Sequence, residues 1–108
     1  YRYIVNLTPE ATFQNVETKS PLFKEWQSLA ETDAHAKAMT TKYQHRPAIE
    51  LYDVKNDPYC MKNLAEDAKQ ASTISRLDKE LKRWMKDCGD EGQPTEMRAF
   101  EHMPGKRK

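Results

Sequence analysis

The strongest constraint on this chain is one helical register near its end. Ile74, Leu77, Leu81, Trp84 and Cys88 recur at spacings of three and four, with Met85 beside them, so an apolar stripe runs along one helix face. Asp67 supplies an N-cap, Gln70 completes the capping-box pattern, and Gly89 provides the C-terminal stop. Some twenty residues rising about 1.5 Å each give a helix of about 30 Å. The stripe covers only about two heptads, short of the three or four a coiled coil requires. Packing on a small sheet is the expected use of that face.

Two segments can supply the sheet. Tyr1 to Leu7 is rich in β-formers, with Tyr1, Tyr3 and Val5 on one face and Arg2, Ile4 and Asn6 on the other. Ile49 to Asp53 places Ile49 and Leu51 on one face, Glu50 and Tyr52 on the other. Between them, Ser20-Pro21 marks a helix start, with Leu22, Phe23, Trp26 and Leu29 carrying it to about Ala30. Asp33 caps a second helix from Ala34 to Tyr43, with Met39 and Tyr43 as its larger contacts, and Pro47 ends it. Thr8 to Lys19 has no period and reads as a loop. The expected fold is α+β: a small antiparallel sheet packed against a long C-terminal helix, with two short helices between the strands.

After the second strand, Asp57-Pro58 has the form of a cap on a one-turn helix, although Cys60 stands where a capping box would want Glu or Gln. Residues 1–89 form the folded part on this reading. Residues 90–108, with Gly92, Pro94, Pro104 and Gly105, form a loosely ordered tail that Met97, Phe100 and Met103 clip back onto the body.

Charge narrows the partners. With 18 basic and 17 acidic residues, the net charge of +1 argues against binding to nucleic acid, and no apolar run reaches the roughly 20 residues of a membrane span. Cys60 and Cys88 lack zinc-site spacing and are expected as free thiols. Tyr1 opens directly into strand-like sequence without a leader, so the expectation is a piece of a longer protein.

Little in the chain points to catalysis. No serine or cysteine carries a neighbouring histidine signature, and no glycine-rich phosphate loop is present. Glu50, Asp53 and Asp57 are spaced for capping and solvation, and His35 and His45 are isolated near helix ends. Asn6-Leu7-Thr8 fits a glycosylation acceptor only as a lone tripeptide followed by proline. The strongest binding signal is Lys79, Lys82, Arg83 and Lys86, an anion-binding candidate on the long helix opposite Leu77, Leu81 and Trp84. Its ordinary counterpart is the solvated back of an amphipathic helix, tempered by Asp78, Glu80 and Asp87. The terminal Lys106-Arg107-Lys108 likewise reads first as a solubilising end.

Taken in order, several short motifs are more specific than any one alone. They are Tyr3-Ile4, Ser20-Pro21 with Trp26, Tyr43, Arg46-Pro47, Glu50-Leu51-Tyr52-Asp53, Asp57-Pro58, Asn63-Leu64-Ala65 and Trp84-Met85. This series, running from about Tyr1 to Glu96, resembles the carboxy-terminal subdomain of the sulfatase family, especially its heparan N-sulfatase (sulfamidase) branch. Ile49 and Cys60 depart from it, standing where the family more often has glutamate.

The resemblance implies a parent with a large α/β catalytic domain, a formylglycine made from a Cys- or Ser-x-Pro-Ser-Arg-like motif, and a calcium ion held by Asp and Asn. Neither Cys60-Met-Lys-Asn-Leu nor Cys88-Gly-Asp-Glu-Gly matches that nucleophile motif, so no catalytic residue, metal ligand or cofactor carries over to this chain. It implies a structural, cleft-shaping role beside a catalytic N-terminal domain, in an exported parent that hydrolyses sulfate esters or N-sulfates of a carbohydrate. His45 and Arg46 are the candidate cleft-rim residues. The family has a strand before Tyr1 to Leu7, so an exposed edge prone to pair with a second chain is expected here. The alternative is a non-enzymatic module that binds sulfated glycans through Lys79 to Lys86.

Overall fold

A computed structural model of the chain describes residues 1–105; the Lys106–Lys108 end lies outside the described residues. The fold is α+β and divides into two compact units, one of residues 1–7 with 49–108 and one of residues 8–48.

In the first unit, β1 (Arg2–Val5) pairs antiparallel with β2 (Ile49–Tyr52), Arg2 opposite Tyr52 and Val5 opposite Ile49. The long helix (Ala71–Cys88, called α3) packs against β1. It is preceded by a 3-10 turn at Ala68–Gln70, where the Asp67 carboxylate accepts from the Lys69 amide. Asp67 therefore caps the 3-10 turn, and α3 itself starts at Ala71, later than the capping box suggests. Gly89 closes the helix in the left-handed region, with φ 73°.

The inward side of α3 differs from the expected stripe at two positions, Trp84 and Cys88. Ile74, Leu77, Leu81 and Met85 are half-buried, whereas Trp84 is 61% exposed. Successive residues turn by about 100°, so Met85 falls roughly 20° from the azimuth of Ile74 and Trp84 roughly 80° away. Trp84 lies only about 20° beyond the half-buried Leu77, so azimuth alone does not separate it from the stripe. Cys88 shares the inward azimuth but is exposed at the helix end.

Residues 90–105, expected as a loose tail, contain a short helix (Gln93–Met97) and a 3-10 turn (Ala99–His102). Met97, Phe100 and Met103, the side chains expected to clip it back, are exposed. Gly92 is buried against the body, where an added Cβ would stand 3.5 Å from Met85 and 3.8 Å from Leu7.

The second unit is a pair of helices, α1 (Pro21–Leu29) and α2 (Ala34–Gln44), that contact one another. Ser20 caps α1 by accepting from the Phe23 amide, and Asp33 caps α2 by accepting from Ala36. Phe23 is the buried apolar anchor, set 5.6 Å from the Tyr43 ring. The loop before α1 is better ordered than its lack of period suggests. Phe13 meets Tyr43 edge-on and donates its amide to Gln44, and Asn15 and Thr18 bond each other reciprocally.

Candidate functional site

The most specific string, Glu50 to Ala65, is built almost wholly from residues that hold the backbone in place. Glu50, Leu51 and Tyr52 are at most 1% exposed. The Tyr52 hydroxyl donates to Glu50 Oε1, and Asn6 Nδ2 donates to Glu50 Oε2 at 2.8 Å. A buried carboxylate needs such donors, because leaving it unpaired is costly. Asn6, a nominal glycosylation acceptor, thus uses its amide within the fold.

Asp53 takes the turn after β2. Its carboxylate accepts from the Lys55 and Asn56 amides and from Asn56 Nδ2 at 2.7 Å. The Asn56 side chain chiefly holds the Asp53 carboxyl below the usual carboxylate range. Asp57 orders the next turn, with Oδ1 accepting from Met61 N and Oδ2 from Lys62 N. No helix follows: Asp57 closes an irregular loop in which Cys60 has φ 53°. That replaces the one-turn helix read from Asp57-Pro58.

Asn63 works as a substitute strand. Its Oδ1 accepts from Leu51 N at 2.9 Å and from Ala65 N, its Nδ2 donates to the Ile49 carbonyl, and Leu64 N donates to the Leu51 carbonyl. The outer edge of β2 is therefore occupied. Alternation in an antiparallel pair then turns the amides and carbonyls of Tyr3 and Val5 outward on β1, the edge from which pairing with a second chain was expected.

On the other side of β1, the Tyr3 hydroxyl donates to Asp78 Oδ1 at 2.9 Å, and Lys82 Nζ bonds Asp78 Oδ2. They border a cleft of about 460 Å³ whose floor includes Ile49, Ala65, Ala68, Ala71 and Ile74. Burial, followed by the bond and the charge of Asp78, raises the Tyr3 phenol from 10.0 to about 12. The Lys82 bond is the chief reason Asp78 is held below its usual range. A raised folded pKa stabilises fully below the unfolded value and fades as pH climbs through the folded one. The Tyr3 contribution is therefore whole below about pH 10 and lost as pH passes 12. Asp78, lowered, stabilises above the ordinary aspartate value and loses this as pH falls through its depressed one. In a spectroscopic titration Tyr3 should ionise late, and Asp78→Ala should bring it only part of the way back, because burial is the larger cause. A late tyrosine that persists unchanged in Asp78→Ala would show that Asp78 has no part in it.

Of the four basic helix residues, Lys82 is drawn toward the sheet by Asp78, and Arg83 pairs with Glu80 at 2.7 Å. Lys79 and Lys86 are exposed. His45 is the exposed C-cap of α2, and Arg46 donates to the Lys42 carbonyl at 3.1 Å, satisfying the end of that helix. In the same unit, Trp26, Leu29, His35, Ala36, Met39 and Thr40 line an apolar cleft of about 290 Å³.

Both cysteines are free, and Cys60 Sγ accepts from the Arg2 guanidinium. Among the described residues, no three His, Cys, Asp or Glu side chains converge as a metal site, and no helix is long and apolar enough to cross a membrane. Sequence reasoning missed Asn63, Asn6 and the Tyr3–Asp78 bond. Only Asp78 left a signal, as a carboxylate on the inward side of an apolar stripe.

No protein-family model matches the chain, and no solved structure matches it. It is similar to an ulvan-active sulfatase of Formosa agariphila, 31% identical over 100 residues. The match takes in 89% of this chain and 17% of that protein, so the chain spans about a sixth of the relative's length. Nearly the whole chain is thus similar to one part of a sulfatase.

Proposed function

We propose that this chain is the carboxy-terminal subdomain of a sulfatase of the heparan N-sulfatase type, completing the fold and one wall of the substrate cleft. The observation that carries this is the match of nearly the whole chain to about a sixth of a sulfatase. The polar residues of the Glu50 to Ala65 string support a structural role, since they cap turns, satisfy a buried carboxylate and close a strand edge.

On this reading, a catalytic domain in the same polypeptide carries the formylglycine and calcium and removes sulfate from a carbohydrate in an exported enzyme. His45 and Arg46, at the end of α2, are offered as rim residues. The lean core agrees with a dependent subdomain. Among the described residues of the first unit only Leu51 and Tyr52 are buried apolar side chains, while Trp84, Tyr59 and Met97 are exposed.

The test is sulfate release. The whole polypeptide carrying this chain should free sulfate from a sulfated oligosaccharide or from a small aryl sulfate, and the polypeptide without residues 1–108 should lose it. A whole polypeptide that releases no sulfate from either overturns the reading. The alternative glycan-binding helix rests on Lys79 and Lys86, because Lys82 and Arg83 already share their charge with Asp78 and Glu80.

A further inference from the structure

The α1–α2 unit leaves most of its own apolar surface uncovered. Among its described residues Phe23 is the one buried apolar side chain. Successive residues of α1 turn by about 100°, so Leu29, Leu22, Trp26 and Phe23 fill one continuous sector of roughly 120°, with Lys24 and Ser28 opposite. Only the Phe23 end of that sector is buried. Leu22, Trp26 and Leu29 are 54%, 50% and 53% exposed.

The uncovered end is one wall of the cleft of about 290 Å³, and Ala36, Met39 and Thr40 of α2 are the other. The Thr40 hydroxyl donates to the Ala36 carbonyl at 2.9 Å, and no Asp, Glu, Lys or Arg lines the cleft. His35 is its remaining polar side chain. Such a lining suits an apolar side chain, since a sugar or an ion needs several convergent polar groups.

We propose that Leu22, Trp26 and Leu29, with the cleft beside them, form the surface on which the rest of the parent polypeptide docks, one of its apolar side chains entering the cleft. This occupant rests on the sulfatase reading above, because the match leaves about five-sixths of the relative's length outside it. Size favours it over a second copy of the chain. A stable dimer buries about 800 Å² per partner, well beyond what three half-exposed side chains supply. A partner tethered in the same polypeptide is held at high effective concentration, so a small apolar contact suffices.

Photo-cross-linking of the whole polypeptide carrying this chain tests the surface, with p-benzoylphenylalanine replacing Leu29, Leu22 or, on the opposite side of α1, Lys24. All three side chains are exposed, so the unit should tolerate the replacements. Leu29 and Leu22 should each give cross-links, within one molecule, to peptides outside residues 1–108, and Lys24 should give severalfold less. Cross-links confined to residues 1–108, cross-links between copies, equal yield from Lys24, or no cross-link from Leu29 and Leu22 each overturn the proposal. Sulfate release is a separate readout. A polypeptide that cross-links as expected but frees no sulfate keeps this surface and loses the sulfatase reading, and the opposite pair of results loses the surface alone.

Discussion

Leu51→Ala should destabilise the sheet-and-helix unit by about 3–5 kcal/mol, the upper part of the range for removing a buried leucine. Leu51 is 0% exposed, and among the described residues of its unit Tyr52 is the only other buried apolar side chain, so there is little core to close over the gap. Total stabilities of small domains are about 5–15 kcal/mol, which makes this one change comparable to the lower end of the whole. Urea unfolding followed by circular dichroism checks it. Leu77→Ala provides the contrast: that residue is only half-buried on α3, so roughly 1–2 kcal/mol is expected. A loss below about 1 kcal/mol at Leu51 would mean that the second strand is not the centre of the core.

The reason Leu51 holds this place was only half legible in the sequence. Alternation put Ile49 and Leu51 on one face of β2, and burial of Leu51 followed from it. Alternation also put Glu50 and Tyr52 on the opposite face, where a solvated side would be the ordinary outcome, yet both are at most 1% exposed. A glutamate in a strand does not announce that a tyrosine two residues on and an asparagine just past the end of the other strand will satisfy it. That information lies in the register of β1 on β2, which sequence spacing does not contain.

Helix ends were more readable because their chemistry is local. Ser20, Asp33 and Gly89 act within three residues of themselves, and each does what its type and position require. The face of α3 was readable at Ile74, Leu77, Leu81 and Met85 but not at Trp84 or Cys88, which are exposed. Size favours Trp84 as a core residue, yet it stands 61% exposed while Met85 is half-buried. The four basic residues were placed by the same geometry. Their partners were not, since Lys82 is drawn to Asp78 through an acid whose own position depends on Tyr3.

Asn63→Ala should cost about 2–4 kcal/mol, although the residue is exposed, because its side chain does the work of a neighbouring strand. It satisfies Leu51 N at 2.9 Å, Ala65 N at 3.0 Å and the Ile49 carbonyl at 3.2 Å. An alanine leaves the amide of a fully buried leucine without its acceptor, and an orphaned buried donor costs about 1–3 kcal/mol by itself. The damage should also be local. Two-stranded sheets are marginal alone, so the Leu51 amide, now facing an unfilled edge, should exchange its hydrogen much faster than the amides of α3. Asn63→Asp separates the roles, since it keeps an acceptor for Leu51 and Ala65 but sets a carboxylate oxygen against the Ile49 carbonyl. Its cost should fall between alanine and wild type, about 1–2 kcal/mol, with Leu51 still protected. If the Leu51 amide stays protected in Asn63→Ala, the asparagine is not the strand substitute described here, and the Asn-Leu-Ala string owes its place to the Leu64 backbone bond alone.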